Sequence, residues 1–333
     1  MGTLESVEEL IDRGLLPIPS EGIRALRTAA APGPVSFDRI EGMLLGLAIG
    51  DALGNTSEGQ TPHTRRAHHG EVRDYLPNRH ADGRRVGLPS DDTQLAFWTL
   101  ESLLDHGRIL PEELARTFAS REIFGIGGTV RAFRAAHQAG APWYLAAQRS
   151  AGNGAVMRIA PVVLPDLGHP SPDLWGNAVL AGAVTHNDPS SIAACLALAG
   201  MLREALAMPR PPAPEWWLDA YCRRARLLEG ETQLVSRHPT RAYTGPIWRL
   251  IDTDARRALA EALPVIEACD RWYSGAFLLE TMPSALYILA RHADDPEQAI
   301  IRAVNDTKDN DTVAAIVGAA GGALHGRRAL PER

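Results

Sequence analysis

The sequence predicts an all-α protein, and three observations lead to that prediction. Apolar residues recur at helical spacing in long segments, near 175–207, 255–269, 275–291 and 296–303. Small residues are interleaved with them, and no run of alternating Val, Ile and aromatic residues suggests strands. With 333 residues, of which 45% are hydrophobic and 22% charged, the chain can bury a substantial core. We therefore expect one helical domain with long loops.

The first 35 residues differ from the rest of the chain. Leu4, Val7 and Ile11 fall on one side of a short predicted helix, and Gly14 is typical of the carboxyl end of such a helix. Prolines and glycines follow in "LLPIPSEG" and "APGPVS". We interpret residues 1–35 as an extension that is not a core element, and residues 36–333 as the domain.

The domain opens with a long predicted helix in "SFDRIEGMLLGLAIGDALG". Its apolar residues recur at i, i+3, i+4 and i+7 and form one stripe, on which Asp51 also falls. The glycines at positions 42, 46 and 50 lower helix propensity, and only tight packing offsets that cost. We therefore expect a neighbouring helix to approach this glycine face closely.

Charge and cysteine content exclude several classes of protein. The 40 acidic residues exceed the 34 basic ones and give a net charge of -6, so we expect no nucleic-acid footprint. The longest apolar run near the start, "MLLGLAIG", is far too short to span a bilayer, and no secretory signal precedes it. Three widely spaced cysteines predict neither a disulfide framework nor a thiolate metal site. A cytoplasmic protein without a membrane partner is the expectation.

Two acidic clusters share one arrangement. "SDDT" contains Ser90, Asp91 and Asp92, and "DNDT" contains Asp309, Asp311 and Thr312; each precedes a helix rich in small residues. Carboxylate and hydroxyl oxygens are the ligands of hard cations, so the pair could hold two ions roughly 3.5 to 4 Å apart. The alternative is that each cluster is a charged helix cap, favoured by the helix dipole.

Glycine-containing loops lie between the two acidic clusters. Gly127, Gly128, Gly152 and Gly154 could let the backbone approach a phosphate, although each loop by itself is weak evidence because most glycine loops simply turn. His186 precedes "NDPSS" and could stack on a base or ribose. A structural histidine that forms a hydrogen bond is the alternative at this position.

Six segments in order resemble the ADP-ribosylglycohydrolase family over about residues 38–327. They are "EGMLLGLAIGDALGNTSEG", "SDDTQLAFWTLESLL", "GNGAVMRIAP", "VTHND", "GAFLLETMPSALYIL" and "NDTKDNDTVAAIVGAAGGALHG". The resemblance implies a single compact helical domain with a dinuclear Mg²⁺ or Mn²⁺ site in a central cleft. It also implies hydrolysis of the bond that joins ADP-ribose to a modified side chain, with arginine as the expected acceptor and an ADP-ribosylated protein as the partner.

The resemblance also assigns roles to residues of this sequence. The implied metal ligands are Ser90, Asp91, Asp92, Asp309, Asp311 and Thr312. Glu58 matches an acidic residue above the substrate, and either Glu58 or Asp309 would take the proton from the attacking water. The implied substrate-binding residues are Gly125, Gly127, Gly128, Ser150, Gly152, Asn153, Gly154, Met157 and His186.

The sequence departs from the family pattern just before and within the second acidic cluster. Thr307 and Lys308 stand where many relatives carry a glycine pair, and Asn310 replaces a frequent threonine, so a lysine adjoins the proposed cation site.

Two other functions are alternatives to hydrolysis. Residues 1–35 could bind and occlude a cognate ADP-ribosyltransferase toxin, which would make the protein an immunity factor with or without hydrolase activity. A catalytically inactive, structural relative is a third interpretation, and oxygen-bearing side chains at all six implied ligand positions argue against it.

Overall fold

The computed structural model describes residues 3–26, 33–168 and 171–332, and these ranges are built mainly of helices. The strands found there are the two-residue β1 (Leu234–Val235) and β2 (Thr244–Gly245), which pair antiparallel with Leu234 opposite Gly245. The predicted all-α class is confirmed. The small hairpin is an addition that the sequence pattern did not predict.

The described ranges contain eighteen α-helices. The amino-terminal third contains α1 (Thr3–Asp12), α2 (Ser20–Leu26), α3 (Phe37–Gly54), α4 (Pro62–His69), α5 (Asp91–His106) and α6 (Pro111–Ser120). The middle contains α7 (Gly128–Gln138), α8 (Trp143–Ala146), α9 (Leu164–Gly168), α10 (Asp173–Ala183), α11 (Pro189–Ala207) and α12 (Pro214–Glu229). After the hairpin come α13 (Ile247–Leu250), α14 (Arg256–Ala260), α15 (Val265–Arg271), α16 (Leu278–His292), α17 (Pro296–Asp306) and α18 (Asn310–His325).

Helices α3 and α18 pack antiparallel through glycines. A Cβ atom on Gly46 would lie 2.1 Å from the carbonyl oxygen of Gly318, so only glycine fits. One turn earlier Gly42 faces Gly322 in the same way. The close helix approach predicted from these glycines is confirmed. Because the helices run in opposite directions, the end of α3 meets the start of α18, where an added Cβ on Gly54 would lie 2.6 Å from the Asp311 Cα.

Helix α11 lies at the centre of the core. It packs against α10, α12 and α18, and nearly all of its side chains are buried. Its length and hydropathy would suffice to cross a membrane, but 89% of its apolar window is buried inside the protein. The apolar character of α11 is therefore explained by its place among other helices.

The amino-terminal segment packs on the domain. Helix α1 packs on α10 and α2 on α12, and Val7 and Ile23 are fully buried in the same hydrophobic core as the domain helices. The prediction that this segment is not a core element is therefore wrong for residues 3–26. Residues 27–32 and the side chain of Leu4 lie outside the described residues, and the domain start at residue 36 stays a prediction.

Candidate active site

A carboxylate from α3 caps the amino terminus of α5. Asp51 Oδ2 accepts hydrogen bonds from the backbone amides of Ser90 (2.8 Å) and Thr93 (3.1 Å), and Asp51 Oδ1 accepts one from Ser90 Oγ (2.6 Å). Ser90 stands at the N-cap position, yet its own side chain caps no amide in the described part of the chain. Asp51 therefore caps the free amides at the start of α5, the role that the charged-cap interpretation assigned to Asp91 or Asp92.

The two predicted acidic clusters meet at this point. Oxygen atoms of Asp51, Asp92 and Asp311 lie within 4.8 Å of one another, and so do those of Glu58, Asp309 and Asp311. Asp311 belongs to both groups. Asp92 Oδ1 is buried and has no hydrogen-bond partner among the described residues. Buried carboxylate oxygens without a donor are the environment that a hard divalent cation fits.

Burial and mutual repulsion raise the pKa of five carboxyl groups: Glu58, Asp91, Asp92, Asp309 and Asp311. Burial first, and the charges of Asp51 and Glu58 second, raise the pKa of Asp91 to about 8. Burial and the charge of Glu58 raise the pKa of Asp309 to about 7, although a hydrogen bond from Asn153 opposes the shift. The acids could all ionise together only with compensating positive charge, so the donor set fits a divalent metal.

The start of α18 is held by contacts from other loops. Asn153 Nδ2 donates hydrogen bonds to Asp309 Oδ2 and to Thr281 Oγ1. Burial, and secondarily the charges of Asp51 and Asp91, raise the pKa of Asp92, and the polar side chain of Thr312 opposes that shift. Asn153 of the "GNG" loop therefore ties Asp309, just before α18, to α16.

A cleft of about 560 Å³, part of it open to solvent, adjoins the acidic clusters. Fourteen of the predicted site residues line it: Glu58, Asp91, Asp92, Gly125, Gly127, Gly128, Gly152, Asn153, Gly154, Met157, His186, Asp309, Asp311 and Thr312. Ser90 and Ser150 stand behind this lining: Ser90 hydrogen-bonds to Asp51, and Ser150 Oγ accepts from the Gly152 amide at 3.2 Å. The lining also includes Thr129, Val130 and Ala276, which the motifs did not single out.

His186 is buried at the inner wall of the cleft. Its Nδ1 is 2.8 Å from Thr185 Oγ1, and a Cβ on Gly154 would lie 3.0 Å from its Cε1. Burial, and secondarily the charge of Arg158, lowers the pKa of His186 to about 3, so the ring is neutral at physiological pH. His186 therefore meets both interpretations: it hydrogen-bonds within the fold and it borders the ligand space.

Two buried residues that matter to the site were missed at the sequence level. In the sequence Asp51 falls on an apolar stripe, and a carboxylate on such a stripe is the signal that identifies it as a candidate. Arg65 is fully buried and donates hydrogen bonds to Thr307 O (2.8 Å) and Ser57 Oγ (2.9 Å). It thereby joins the loop before Glu58 to the loop before Asp309. No sequence pattern identifies Arg65, because its partners lie far apart in the chain.

The residues that depart from the family pattern leave the acidic clusters undisturbed. Lys308 Nζ lies 3.4 Å from the centroid of the Tyr273 ring, in a cation–π contact. Asn310 Nδ2 donates to Gly54 O at 3.0 Å and to Ser57 Oγ at 3.1 Å. The lysine cation therefore rests on an aromatic ring, and Asn310 ties α18 to the end of α3.

Comparison with known proteins identifies a family with this combination of fold and site. A family model described as ADP-ribosylglycohydrolase matches residues 32–333. The chain belongs to the ADP-ribosylglycohydrolase family. Family membership supports glycohydrolase activity, and the clustered acidic residues of this ADP-ribosylglycohydrolase could bind metal.

Individual relatives agree with the family assignment. The chain is 29% identical over 314 residues to the ADP-ribosyl-[dinitrogen reductase] glycohydrolase of Rhodospirillum rubrum, with 90% of each protein covered. It is 27% identical over 308 residues to the ADP-ribosylarginine hydrolase Tri1 of Pseudomonas putida, covering 89% of this chain and 73% of that protein. A solved structure described as an ADP-ribosylglycohydrolase-related protein complex matches with a TM-score of 0.64 and 30% identity, covering 89% of this chain and 90% of the other.

Proposed function

We propose that this ADP-ribosylglycohydrolase removes ADP-ribose from modified arginine side chains of proteins, with two Mg²⁺ or Mn²⁺ ions and in the cytoplasm. The observation that carries the proposal is the meeting of both acidic clusters beside a glycine-lined cleft. The name of the Pseudomonas relative, an ADP-ribosylarginine hydrolase, supports the arginine linkage, and the name of the Rhodospirillum relative supports an ADP-ribosylated protein as substrate. Three buried free cysteines are consistent with a reducing compartment.

The proposed metal ligands are Ser90, Asp91, Asp92, Asp309, Asp311 and Thr312, with Asp51 as a further candidate. Bound cations would supply two effects, polarisation of the ribose oxygens and a lower pKa for water. Asp92, Asp309 and Asp311 are the best placed of the set, because each is buried and each belongs to a group of three clustered carboxylates. Asp51 also fixes the first turn of α5, and so it positions Asp91 and Asp92.

The nucleotide part of the substrate fits the glycine loops. Gly127 is the N-cap residue of the 11-residue helix α7, whose free amides favour an anion. An added Cβ on Gly127 or Gly128 would meet no described atom within 4 Å, so the space above this helix end is open to a pyrophosphate. His186 and Gly154 lie on the other wall and would contact the sugar or base.

Hydrolysis requires one water, which adds its hydroxyl to C1 of the ribose while a proton goes to the departing guanidine nitrogen. Glu58 and Asp309 are the two candidates for accepting the proton of that water. Asp309 is buried and held by Asn153, which orients its carboxylate towards a fixed point. Glu58 is exposed at the mouth of the cleft, where the modified side chain must enter. We therefore propose Asp309 as the base and Glu58 as the group that contacts the acceptor side.

The decisive experiment is release of ADP-ribose from ADP-ribosylarginine with Mg²⁺ or Mn²⁺, compared with ADP-ribosylserine. We expect the wild type to cleave the arginine compound and Asp92→Asn to reduce the rate at least a hundredfold. Asn for Asp changes the charge but hardly the volume, so thermal unfolding of the variant controls for folding. Preference for the serine compound would refute the arginine assignment, and no release from either compound would refute the enzyme.

The alternative function is immunity through residues 1–35, by binding and occluding an ADP-ribosyltransferase toxin. Truncation is a poor test, because removing Val7 and Ile23 would expose the core. Reversal of exposed charges, Asp12→Arg with Glu21→Arg, leaves that core intact. If the toxin is inhibited by a chain carrying Asp92→Asn but not by the charge-reversed chain, occlusion is the function. Equal inhibition by the charge-reversed chain would place toxin binding elsewhere.

A further inference from the structure

Positive charge is concentrated in one segment of this acidic protein. Residues 60–89 contain six of the chain's arginines and four of its 11 histidines, but only three of its 40 acidic residues. The net charge of the segment is therefore +3, against -6 for the whole chain. Such a reversal of sign over one segment produces a local positive potential.

Most of this charge is at the surface. Arg66, Arg79, Arg84 and Arg85 are exposed, whereas Arg65 is the buried arginine of the site. Arg79 Nε donates to the His80 ring and Arg84 Nε donates to a backbone carbonyl, so both of these hydrogen bonds go to uncharged partners. We call Arg79, Arg84 and Arg85 the basic patch; they lie on one turn, which a hydrogen bond from the Asn78 amide to Arg84 O closes at 3.0 Å.

The segment that carries the basic patch leaves the active site and returns to it. It begins just after Glu58 and ends just before Ser90, so both of its ends lie beside the acidic clusters. Asn55 Nδ2 donates to Leu88 O at 2.7 Å, which ties the end of the segment to the turn before Glu58. The ring of His80, the neighbour of Arg79, lies 6.3 Å from the ring of Phe124, which adjoins Gly125 of the cleft lining. The Arg79 end of the patch therefore lies beside the cleft.

The base of the segment is rigidly held. The backbone amide of Val72 donates to Asn305 Oδ1 at 2.8 Å, and Asn305 Nδ2 returns a hydrogen bond to Val72 O at 2.9 Å. Arg65 adds hydrogen bonds to Thr307 O and Asn305 O. Because this anchor includes the end of α17 and the loop that leads to Asp309, it ties the first half of the segment to the active site.

We propose that the basic patch is a docking surface for an acidic face of the ADP-ribosylated protein. This inference rests on the proposed function, because a modified side chain that enters past Glu58 brings the protein surface around it against residues 60–89. Arginine binds carboxylates in a planar, bidentate geometry, which suits such a contact. A patch of this sign would also counter the repulsion between an acidic partner and a chain of net charge -6.

The test compares two triple charge reversals that change the net charge equally. The patch variant carries Arg79→Glu, Arg84→Glu and Arg85→Glu. The control variant carries Arg210→Glu, Arg223→Glu and Arg226→Glu, at exposed positions on and before α12, which contributes no residue to the cleft lining. Three substrates are used: ADP-ribosylarginine itself, and two ADP-ribosylated peptides with acidic or basic residues around the modified arginine.

We expect the patch variant to lose about tenfold in kcat/KM on the acidic peptide at low salt, and the loss to shrink at high salt. Its rate on ADP-ribosylarginine and the rates of the control variant should stay near wild type. An equal loss on all three substrates, or no loss on the acidic peptide, would overturn the docking surface. A wild type that cleaves none of the three refutes the proposed function, and binding of the same peptides, measured by fluorescence anisotropy, then still tests the patch. Tighter binding of a nucleic-acid duplex than of the acidic peptide would also overturn it.

Discussion

The glycine contact between α3 and α18 gives a prediction whose size can be worked out from the structure. In Gly318→Ala the new Cβ would lie 2.0 Å from the carbonyl oxygen of Gly46, whereas ordinary contact begins at 3.4 Å. The two helices must therefore separate by about 1.4 Å, because both contacting groups belong to helix backbone and neither can rotate away.

Two opposing effects set the change in stability. Overpacking a well-packed core costs about 1–3 kcal/mol, and replacing glycine by alanine inside a helix returns about 0.5–1 kcal/mol. The net loss is about 1–2 kcal/mol, since the clash is with backbone. With an unfolding entropy of about 2.1 cal/mol/K per residue, that loss lowers the Tm by roughly 1–3 °C.

The same separation acts on the metal site. Asp51 lies near the end of α3 and Asp311 near the start of α18, and their oxygens now lie within 4.8 Å. Moving the helices apart loosens this group, so we expect the rise in Tm on adding Mg²⁺ or Mn²⁺ to be smaller than in wild type. Differential scanning fluorimetry with and without metal measures both effects.

A matched substitution controls for the glycine-to-alanine change itself. Gly168→Ala adds a Cβ that meets no described atom within 4 Å, so the Tm should stay the same or rise slightly. An unchanged Tm in Gly318→Ala, together with an unchanged response to metal, would refute the claim that this glycine contact holds the two acidic elements together.

Three further predictions concern single residues around the site. Arg65→Lys keeps the charge but loses the forked guanidinium that donates to Thr307 O and Ser57 Oγ. We expect the free energy of unfolding, measured in urea, to fall by at least about 3 kcal/mol. A smaller loss would contradict the role of Arg65 as a link between the two loops. Burial lowers the pKa of His186 to about 3, below its ordinary 6.5. The unfolded chain therefore takes up the proton first, so this contribution to stability is complete above pH 6.5 and is lost as the pH falls towards 3. For the wild type the resulting loss of stability at pH 5 is about 2 kcal/mol. Between pH 7 and pH 5 the free energy of unfolding should therefore fall less in His186→Gln than in the wild type. Parallel curves of unfolding free energy against pH for the two proteins would disprove this effect of His186. In Gly154→Ala the added Cβ would lie 3.0 Å from the His186 Cε1, so we expect KM for ADP-ribosylarginine to rise severalfold while the Tm changes little; an unchanged KM would exclude this wall from the substrate site.

Several features could be predicted from the sequence because they are encoded locally. Helical spacing of apolar residues predicts the all-α class, and the glycines of "GMLLGLAIG" predict a helix that another helix approaches closely. The motifs and their order identify the family, and fourteen of the predicted site residues line one cleft. The roles assigned to them, the ions and the cytoplasmic location stay predictions.

Other features depend on partners that are distant in the chain, and these only the tertiary structure decided. Asp51 caps α5 from another helix, and Lys308 is held over Tyr273, away from the acidic clusters. Arg65 has one of its acceptors, Thr307 O, more than two hundred residues further along the chain. The amino-terminal segment looks like an extension because its prolines and glycines are local signals, yet it is buried by α10 and α12. Periodicity and motifs report what a residue prefers among its neighbours in sequence, whereas the direction of a side chain and the burial of a segment depend on what folds against them.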